Sequence, residues 1–385
     1  MMDYTSQFFI FGILIGLFSI IPTILYFLGM KNSSNKLNNL NMMTNYPKIT
    51  IFLPVRNESK LIKQKLNEIL NLEYPKSKIS ILIIDSKSQD NTVKIANDFL
   101  NNYSGKIPWK IIQNQPKGKS NAVNKALEII DTDIFVMMDT EPILQSNCLK
   151  NLVRWFNDSE IGGVCGKIKI HNDDPGYSYR NRFNILRVGE SHIDSTPLFE
   201  GSICAFRMSA ISKSRINANI NADDSQLAML IRRNGFRAIM DPEIEFLEPV
   251  EDINFFSFKR KTRRAQGITR SLFLNRDLVF NKSTYSKIFL FNFYFYIIMP
   301  WFIIISILLV LNSVISFHVN YGNNFYLYSL YSFILIFTIL SPIIRGFLNG
   351  IFILLYSQII LLFGIKLNVW DQDEGLRQLA LELRN

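Results

Sequence analysis

The chain is poor in cysteine and histidine, with 3 of each in 385 residues. Cys148, Cys165 and Cys204 form no CxxC pair and no even framework. That excludes a disulfide scaffold or a zinc ribbon and fits a reducing, cytoplasmic compartment. His171, His192 and His318 are scattered, so there is no Ser-His-Asp ordering and no histidine metal box. Charge is missing from residues 4–30, 288–344 and 346–365. A bilayer helix needs about 20 apolar residues, so the first stretch supplies one span and the C-terminal stretches about three. The first stretch also lacks the marks of a cleaved leader: Asp3 stands where a basic n-region would be, and no small-x-small cleavage site follows. It reads as a retained anchor. Finally, Gly118-Lys119-Ser120 lacks the glycine a P-loop needs five residues earlier, where Gln113 stands, so an NTPase is excluded.

Positive charge is in excess, at net +10. Its densest run, Lys259-Arg260-Lys261-Thr262-Arg263-Arg264, lies just before the long apolar region. The plain reading of such a run is a cytoplasmic flank facing lipid headgroups; the functional reading is a phosphate-binding site. Nucleic acid is a poor fit, because the charge gathers at the membrane instead of spreading over a face with interleaved aromatics.

The boundaries read as an N-terminal span at 4–30, an Asn-rich linker at 31–47, a catalytic domain at 48–250, an amphipathic interfacial helix at 251–275, a membrane region at 288–366 and a polar tail at 367–385. If the catalytic domain is cytoplasmic, strict alternation of three spans puts the tail on the far side. A re-entrant segment would return it. Within the central block, strand and helix patterns alternate. Residues 48–55, 79–84, 109–112 and 134–138 read as strands, the second a nearly continuous apolar run buried on both faces. Residues 58–72, 91–102 and 121–130 have helical spacing. This β-α-β-α order predicts a largely parallel, doubly wound sheet, whose ligand lies beyond the C-terminal strand ends. Asp85, Asp139 and Glu141 stand at such ends. Farther on, 162–170 and 237–239 read as strands and 224–234 as a helix that begins with its acids.

These residues resemble glycosyltransferase family 2, in its membrane-bound branch with a GT-A fold. Pro54-Val55-Arg56-Asn57-Glu58 is similar to the family's opening strand motif, with Arg56 at its usual Tyr. Residues 85–92 resemble its Asp-Asp-Gly-Ser-x-Asp-x-Thr loop, with Ser86 at the second Asp. Residues 117–122 resemble its Gly-Lys-x-x-Ala segment. Asp139-Thr140-Glu141 falls at the DxD position, Ala222-Asp223-Asp224 at Thr-Glu-Asp, and Arg260 to Arg264 at Gln-x-x-Arg-Trp of cellulose and hyaluronan synthase-like members. Arg264 replaces the Trp that helps form the acceptor end of the channel in processive synthases.

The resemblance implies an inverting hexosyl- or N-acetylhexosaminyltransferase that takes a nucleotide-sugar, most simply a UDP-sugar. Its acceptor would be a lipid or lipid-linked glycan presented at the membrane. Asp139 and Glu141 would hold Mg²⁺ or Mn²⁺ on the donor diphosphate, as suits hard cations that keep several waters. Asp224, ahead of Asp223, would be the general base. Arg263, then Arg260 and Arg264, would bind diphosphate through the guanidinium fork. Glu58 and Asp85 would lie near the nucleoside, with Lys119 near a phosphate or the base. Each residue also has a plain reading: turn chemistry for the strand-end acids, helix-start acids for Asp223 and Asp224, and membrane topology for the arginines. Two rival functions remain open, a processive polysaccharide synthase and a catalytically inactive GT-A scaffold of a membrane glycan assembly.

Overall fold

The computed structural model describes residues 4–34, 43, 45–105, 107–169, 177–211, 214–249, 255–321, 341–367 and 374–384. Eight strands form one sheet: β1 (Ile49–Val55), β2 (Ile79–Asp85), β3 (Trp109–Ile112), β4 (Ile134–Met138), β5 (Ile143–Leu144), β6 (Ile161–Ile168), β7 (Ile203–Arg207) and β8 (Arg237–Leu247). Their spatial order is β3-β2-β1-β4-β7-β6-β8-β5. The first four of the six strands read from sequence pair in parallel, as expected. The far half is mixed: β7 runs antiparallel to β4 and β6, while β6 and β8 are parallel. β5 and β7 were not visible as strands in the pattern, and β8 is longer than the expected 237–239. The reason is that β7 is a buried run of five residues with no alternation, while β8 is interrupted by Asp241, Pro242 and Glu243.

All seven residues of β1 and all five of β4 are buried. Helices cover both faces of the sheet, so these strands need apolar residues on every side chain and not only on alternate ones. One core lies under α2 (Ile62–Asn71), α3 (Thr92–Asn101) and α5 (Cys148–Arg154). A second lies under α4 (Lys119–Ile129), α7 (Met208–Ile211) and α8 (Asp223–Arg233).

The feature that makes room for a ligand is a local parting of strands. β1 pairs with β2 up to Val55 but with β4 only up to Phe52. Pro54 has no N–H to give to a ladder, and it falls where the β4 side has already separated. Chain order runs outward from β1 to β3 and returns at β4. The parting is therefore the topological switch point, where such sheets bind ligands.

Helix α6 (Tyr177–Ile193) joins the catalytic domain to the membrane helices. Among the described residues, three helices are long and apolar enough to cross a membrane, Gln7–Ser34, Thr284–Ser316 and Ile344–Leu362. They belong to α1 (Tyr4–Ser34), to α10 (Thr284–Phe293) continued by α11 (Met299–Tyr321), and to α12 (Pro342–Leu362). A third C-terminal span would fall within 322–340, outside the described residues. Between α10 and α11, Tyr294–Ile298 forms a π turn, which lets the helix run into Pro300 despite its missing N–H. Gly12 and Gly16 of α1 let its backbone meet α11, where the Ser306 hydroxyl donates to the Gly12 carbonyl at 2.7 Å. The basic segment is helix α9 (Phe255–Leu274), and a last helix, α13 (Glu374–Glu382), follows the spans. Both Gln266 of α9 and Glu58 of the catalytic domain bond to the tail, through Leu367 and Arg377. A chain that leaves the domain and returns to it crosses any bilayer an even number of times. This return argues against the far-side placement of the tail that strict alternation implied.

Candidate active site

Lys119 is the centre of the cleft. It opens α4, and its ammonium lies 2.8 Å from Asp139 Oδ1 and 3.5 Å from Asp223 Oδ2. It also donates to the Gly201 carbonyl at 3.4 Å. Burial opposes the charge on Lys119, but Asp139, Asp223 and Asp224 together outweigh it and hold its pKa above the ordinary lysine range. Three motifs far apart in sequence thus meet at one cation. Asp139 follows β4 directly, where its amide donates to the Ser202 carbonyl. Burial raises its pKa, Lys119 opposes that, and Asp223 and Glu248 add to it.

Asp223 and Asp224 begin α8, whose preceding residue, Ala222, has φ +71°. A left-handed alanine costs about 1–3 kcal/mol and persists only where its surroundings fix it. They do so here. The Ile220 carbonyl accepts from Ser120 Oγ at 2.8 Å and from Gln226 Nε2 at 3.0 Å, and Asn221 Nδ2 donates to the Leu367 carbonyl. The strained turn aims both acids at the cleft. Asp224 is pushed up to about 6, first by burial and then by Asp223, against Lys119. Gly201 keeps the space in front of it open: a Cβ there would sit 2.9 Å from Asp224 Oδ2.

Glu141 lies two residues past Asp139. Burial raises its pKa, with Arg260 and Arg264 opposing and Asp139 and Glu248 reinforcing. Arg260 and Arg264 are four residues apart and share a face of α9. Arg264 is exposed to water, yet Glu248, Glu141, Asp139 and Asp224 all stabilise its charge. A guanidinium that is both wet and surrounded by acids lines an open cleft. Arg263 is half-buried on the same helix.

Glu58 and Asp85 are both buried at the same edge of the sheet. Asp85 accepts from the Ser88 amide at 3.2 Å and so shapes the loop after β2. Glu58 is pushed up to about 7 by burial; Arg377 opposes this and Glu141 adds to it. The loops after β1 and β2 are tied together: the Asn57 amide donates to Ser88 Oγ, the Glu58 amide to Thr92 Oγ1 and the Ser59 amide to Asp90.

Every expected site residue with a described side chain lies along this edge or on α9. Three participants were missed from sequence. Glu248 follows β8 and is gripped by Ser202 Oγ; it obeys the strand-end rule, but only once β8 is known to run to Leu247. Glu200, paired with Arg187 of α6, and Gly201 sit in a loop with no motif.

A divalent cation can be tested against these side chains. No group of three or more His, Cys, Asp or Glu converges as a metal cage among the described residues. Asp139 Oδ1 and Asp223 Oδ2 are, however, buried and share one cationic partner, the Lys119 ammonium, at 2.8 and 3.5 Å. Carboxylate oxygens from Asp139 and Glu141 suit a hard cation that completes its shell with phosphate and water. The donor set fits Mg²⁺ or Mn²⁺ bound together with a diphosphate, not a metal held by protein alone.

Residues 50–218, somewhat less than half of the chain, match the family model Glycosyl transferase family 2. It is 31% identical over 132 residues to the "Probable glycosyltransferase YdaM" of Bacillus subtilis, which covers 34% of this chain and 31% of that protein. Two further relatives are a poly-beta-1,6-N-acetyl-D-glucosamine synthase of Staphylococcus epidermidis, 28% identical over 32% of this chain and 29% of its own, and a beta-monoglucosyldiacylglycerol synthase of Trichormus variabilis, 27% identical over 34% and 28%. The chain thus matches about a third of the length of these relatives. Among solved structures, the mannosyltransferase PcManGT of Pyrobaculum calidifontis, in complex with GDP-Man and Mn²⁺, superposes with TM-score 0.80 at 22% identity, covering 93% of this chain and 100% of that one. That likeness shows the fold, GT-A with its membrane-side helices.

Proposed function

We propose that this protein is a membrane-anchored, inverting, metal-dependent glycosyltransferase that moves one sugar from a nucleotide-sugar to a lipid or lipid-linked glycan, with its site on the cytoplasmic face. The observation that carries this reading is the convergence of Asp139, Asp223 and Asp224 on Lys119, with Arg264 of the interfacial helix in the same electrostatic field. Basic guanidinium and ammonium groups bind the diphosphate, while the acid with the raised pKa serves as base.

In this reading Arg264 and Arg260 hold the diphosphate, and Lys119 keeps Asp139 ionised and oriented. Asp139 and Glu141 would hold the cation, which when bound neutralises charge on the leaving diphosphate. Asp224 takes the proton of the acceptor hydroxyl as that oxygen attacks the anomeric carbon. Attack from the face opposite the diphosphate inverts the centre. Gly201 leaves the acceptor room beside Asp224. A UDP-sugar remains the simplest donor; the GDP-Man of the structural relative makes GDP-sugars equal candidates.

The relation to a poly-N-acetylglucosamine synthase favours a second reading, processive polymerisation. Against it, Arg264 puts a charge amid the acids where the processive pattern has Trp. Product length separates the two. The test is turnover by purified protein in liposomes with Mn²⁺ or Mg²⁺, a panel of UDP- and GDP-sugars, and membrane lipid as acceptor. Metal-dependent release of nucleoside diphosphate, with one sugar added and none added by Asp224→Asn, is the expected result. Binding of no nucleotide would overturn the reading in favour of a scaffold.

A further inference from the structure

Beyond the last span, residues 374–384 lie at the switch point and contact the segments that follow β1 and β4. Their approach is fixed by α9: Gln266 accepts from the Leu367 amide at 2.7 Å and donates to the Ile365 carbonyl at 2.9 Å. Helix α13 then lies against the site, with Ala380 fully buried and Arg377 nearly so. On the β1 side, Arg377 Nη2 donates to Glu58 Oε1 at 2.8 Å. On the β4 side, Arg384 Nη2 donates to three successive carbonyls, Thr140 at 2.8 Å, Glu141 at 3.2 Å and Pro142 at 3.0 Å. It also lies 3.5 Å from Glu68 of α2.

These three carbonyls belong to the turn that carries the acidic pair. The turn leaves β4 just where β4 has lost β1 as a neighbour, so no strand partner satisfies its backbone on that side, and buried carbonyls need a donor. A single guanidinium nitrogen, Arg384 Nη2, reaches all three, and Lys65 Nζ of α2 also donates to the Pro142 carbonyl at 2.7 Å. Arg384 is the donor that meets the Thr140 and Glu141 carbonyls, and so bears on the direction of the turn that carries the Glu141 side chain. A nine-residue helix is too short to persist alone in water, so α13 owes its shape to this docking.

We propose that the C-terminal segment is a working part of the donor site, in which Arg384 and Arg377 act as positioning residues that clamp the ends of β4 and β1 for the nucleoside diphosphate and its cation. The proposal rests on the transferase reading above and adds a segment that lies outside the matched family region. Neither arginine reacts. Arg384 acts through the turn, and Arg377 through Glu58.

The test uses the full-length protein in detergent, with GDP and UDP as probes, each with Mn²⁺. Calorimetry gives affinity, and hydrogen exchange reads the amides of residues 139–144. Arg384→Ala is expected to weaken nucleoside diphosphate binding at least tenfold and to speed exchange in that turn, with the melting temperature little changed. A merely structural role would lower the melting temperature and leave affinity alone, and that result overturns the proposal. Arg384→Lys keeps the charge on a shorter side chain that stops short of the Nη2 position, so it should fall between wild type and Arg384→Ala; it also serves if the alanine variant fails to fold. Lysine binding nucleotide as wild type does, with the turn equally protected, overturns the clamp. Failure of wild type itself to bind either nucleotide overturns the transferase reading, and the clamp's donor role with it.

Discussion

Two buried carboxylate sites in this protein have opposite outcomes. Glu190, on α6 at the junction with the membrane helices, is fully partnered. It accepts from Tyr26 of α1 at 2.8 Å, from Asn292 of α10 at 2.7 Å and from Thr196 at 2.7 Å. In the cleft, the buried oxygens Asp139 Oδ1 and Asp223 Oδ2 share a single cation, Lys119, at 2.8 and 3.5 Å. Burying a carboxylate is costly in both places. The first site recovers the cost with three donors that tie two membrane helices to the domain. The second leaves part of it unrecovered, and a cation or a substrate supplies what is missing. Three neutral donors at one site against one shared cation at the other separate the structural acid from those proposed to act in the reaction.

The sharpest way to test that contrast is to neutralise one acid at each site. Asp224→Asn should cut turnover by about 10³-fold, the usual range for a lost general base, while stability holds or rises. The sign follows from its pKa. Folding raises that value to about 6, so the folded state favours the protonated acid, and stability falls as pH climbs from the ordinary carboxylate range of about 4 toward 6. The asparagine escapes this loss. Turnover and thermal melting on the same preparation check both halves, and a variant that loses stability along with turnover would break the comparison.

Wild-type kcat/KM should rise with pH through about 6 and then level off, because only the ionised Asp224 accepts a proton. A pH–rate profile with no limb near 6 would assign the base elsewhere.

Glu190→Ala should show the inverse pattern. Three buried donors lose their acceptor, at about 1–3 kcal/mol each before relaxation. Denaturation in detergent should report the loss, while turnover per folded molecule stays close to wild type. A large fall in turnover at full stability would move Glu190 into the working site. The smallest effect is expected at Gly12→Ala, where a Cβ would meet Val310 Cγ2 at 2.8 Å. Overpacking costs about 1–3 kcal/mol, less where the neighbour turns aside. Crosslinking between α1 and α11 should weaken, with the catalytic domain unaffected.

The sequence alone determined the local parts. Apolar runs at 48–55, 79–84 and 134–138 alternating with helical spacing read as strands, the second as buried on both faces, so the parallel half of the sheet was legible, as were the acids at its ends and the apolar stretches of α1, α11 and α12. Such features depend on periodicity and on residue type next to a strand end, both short-range. Tertiary structure decided everything that depends on contacts far apart in the chain. β5 and β7 are too short or too uniformly apolar to show a period, and they exist because β4 and β8 offer them edges. Lys119 became the centre of the site only because folding brings residues 139 and 223 to it. Arg264 took its place among the acids through the packing of α9. The tail, a plain polar end in the sequence, meets the site because Arg384 reaches the Thr140 and Glu141 carbonyls in the turn after β4.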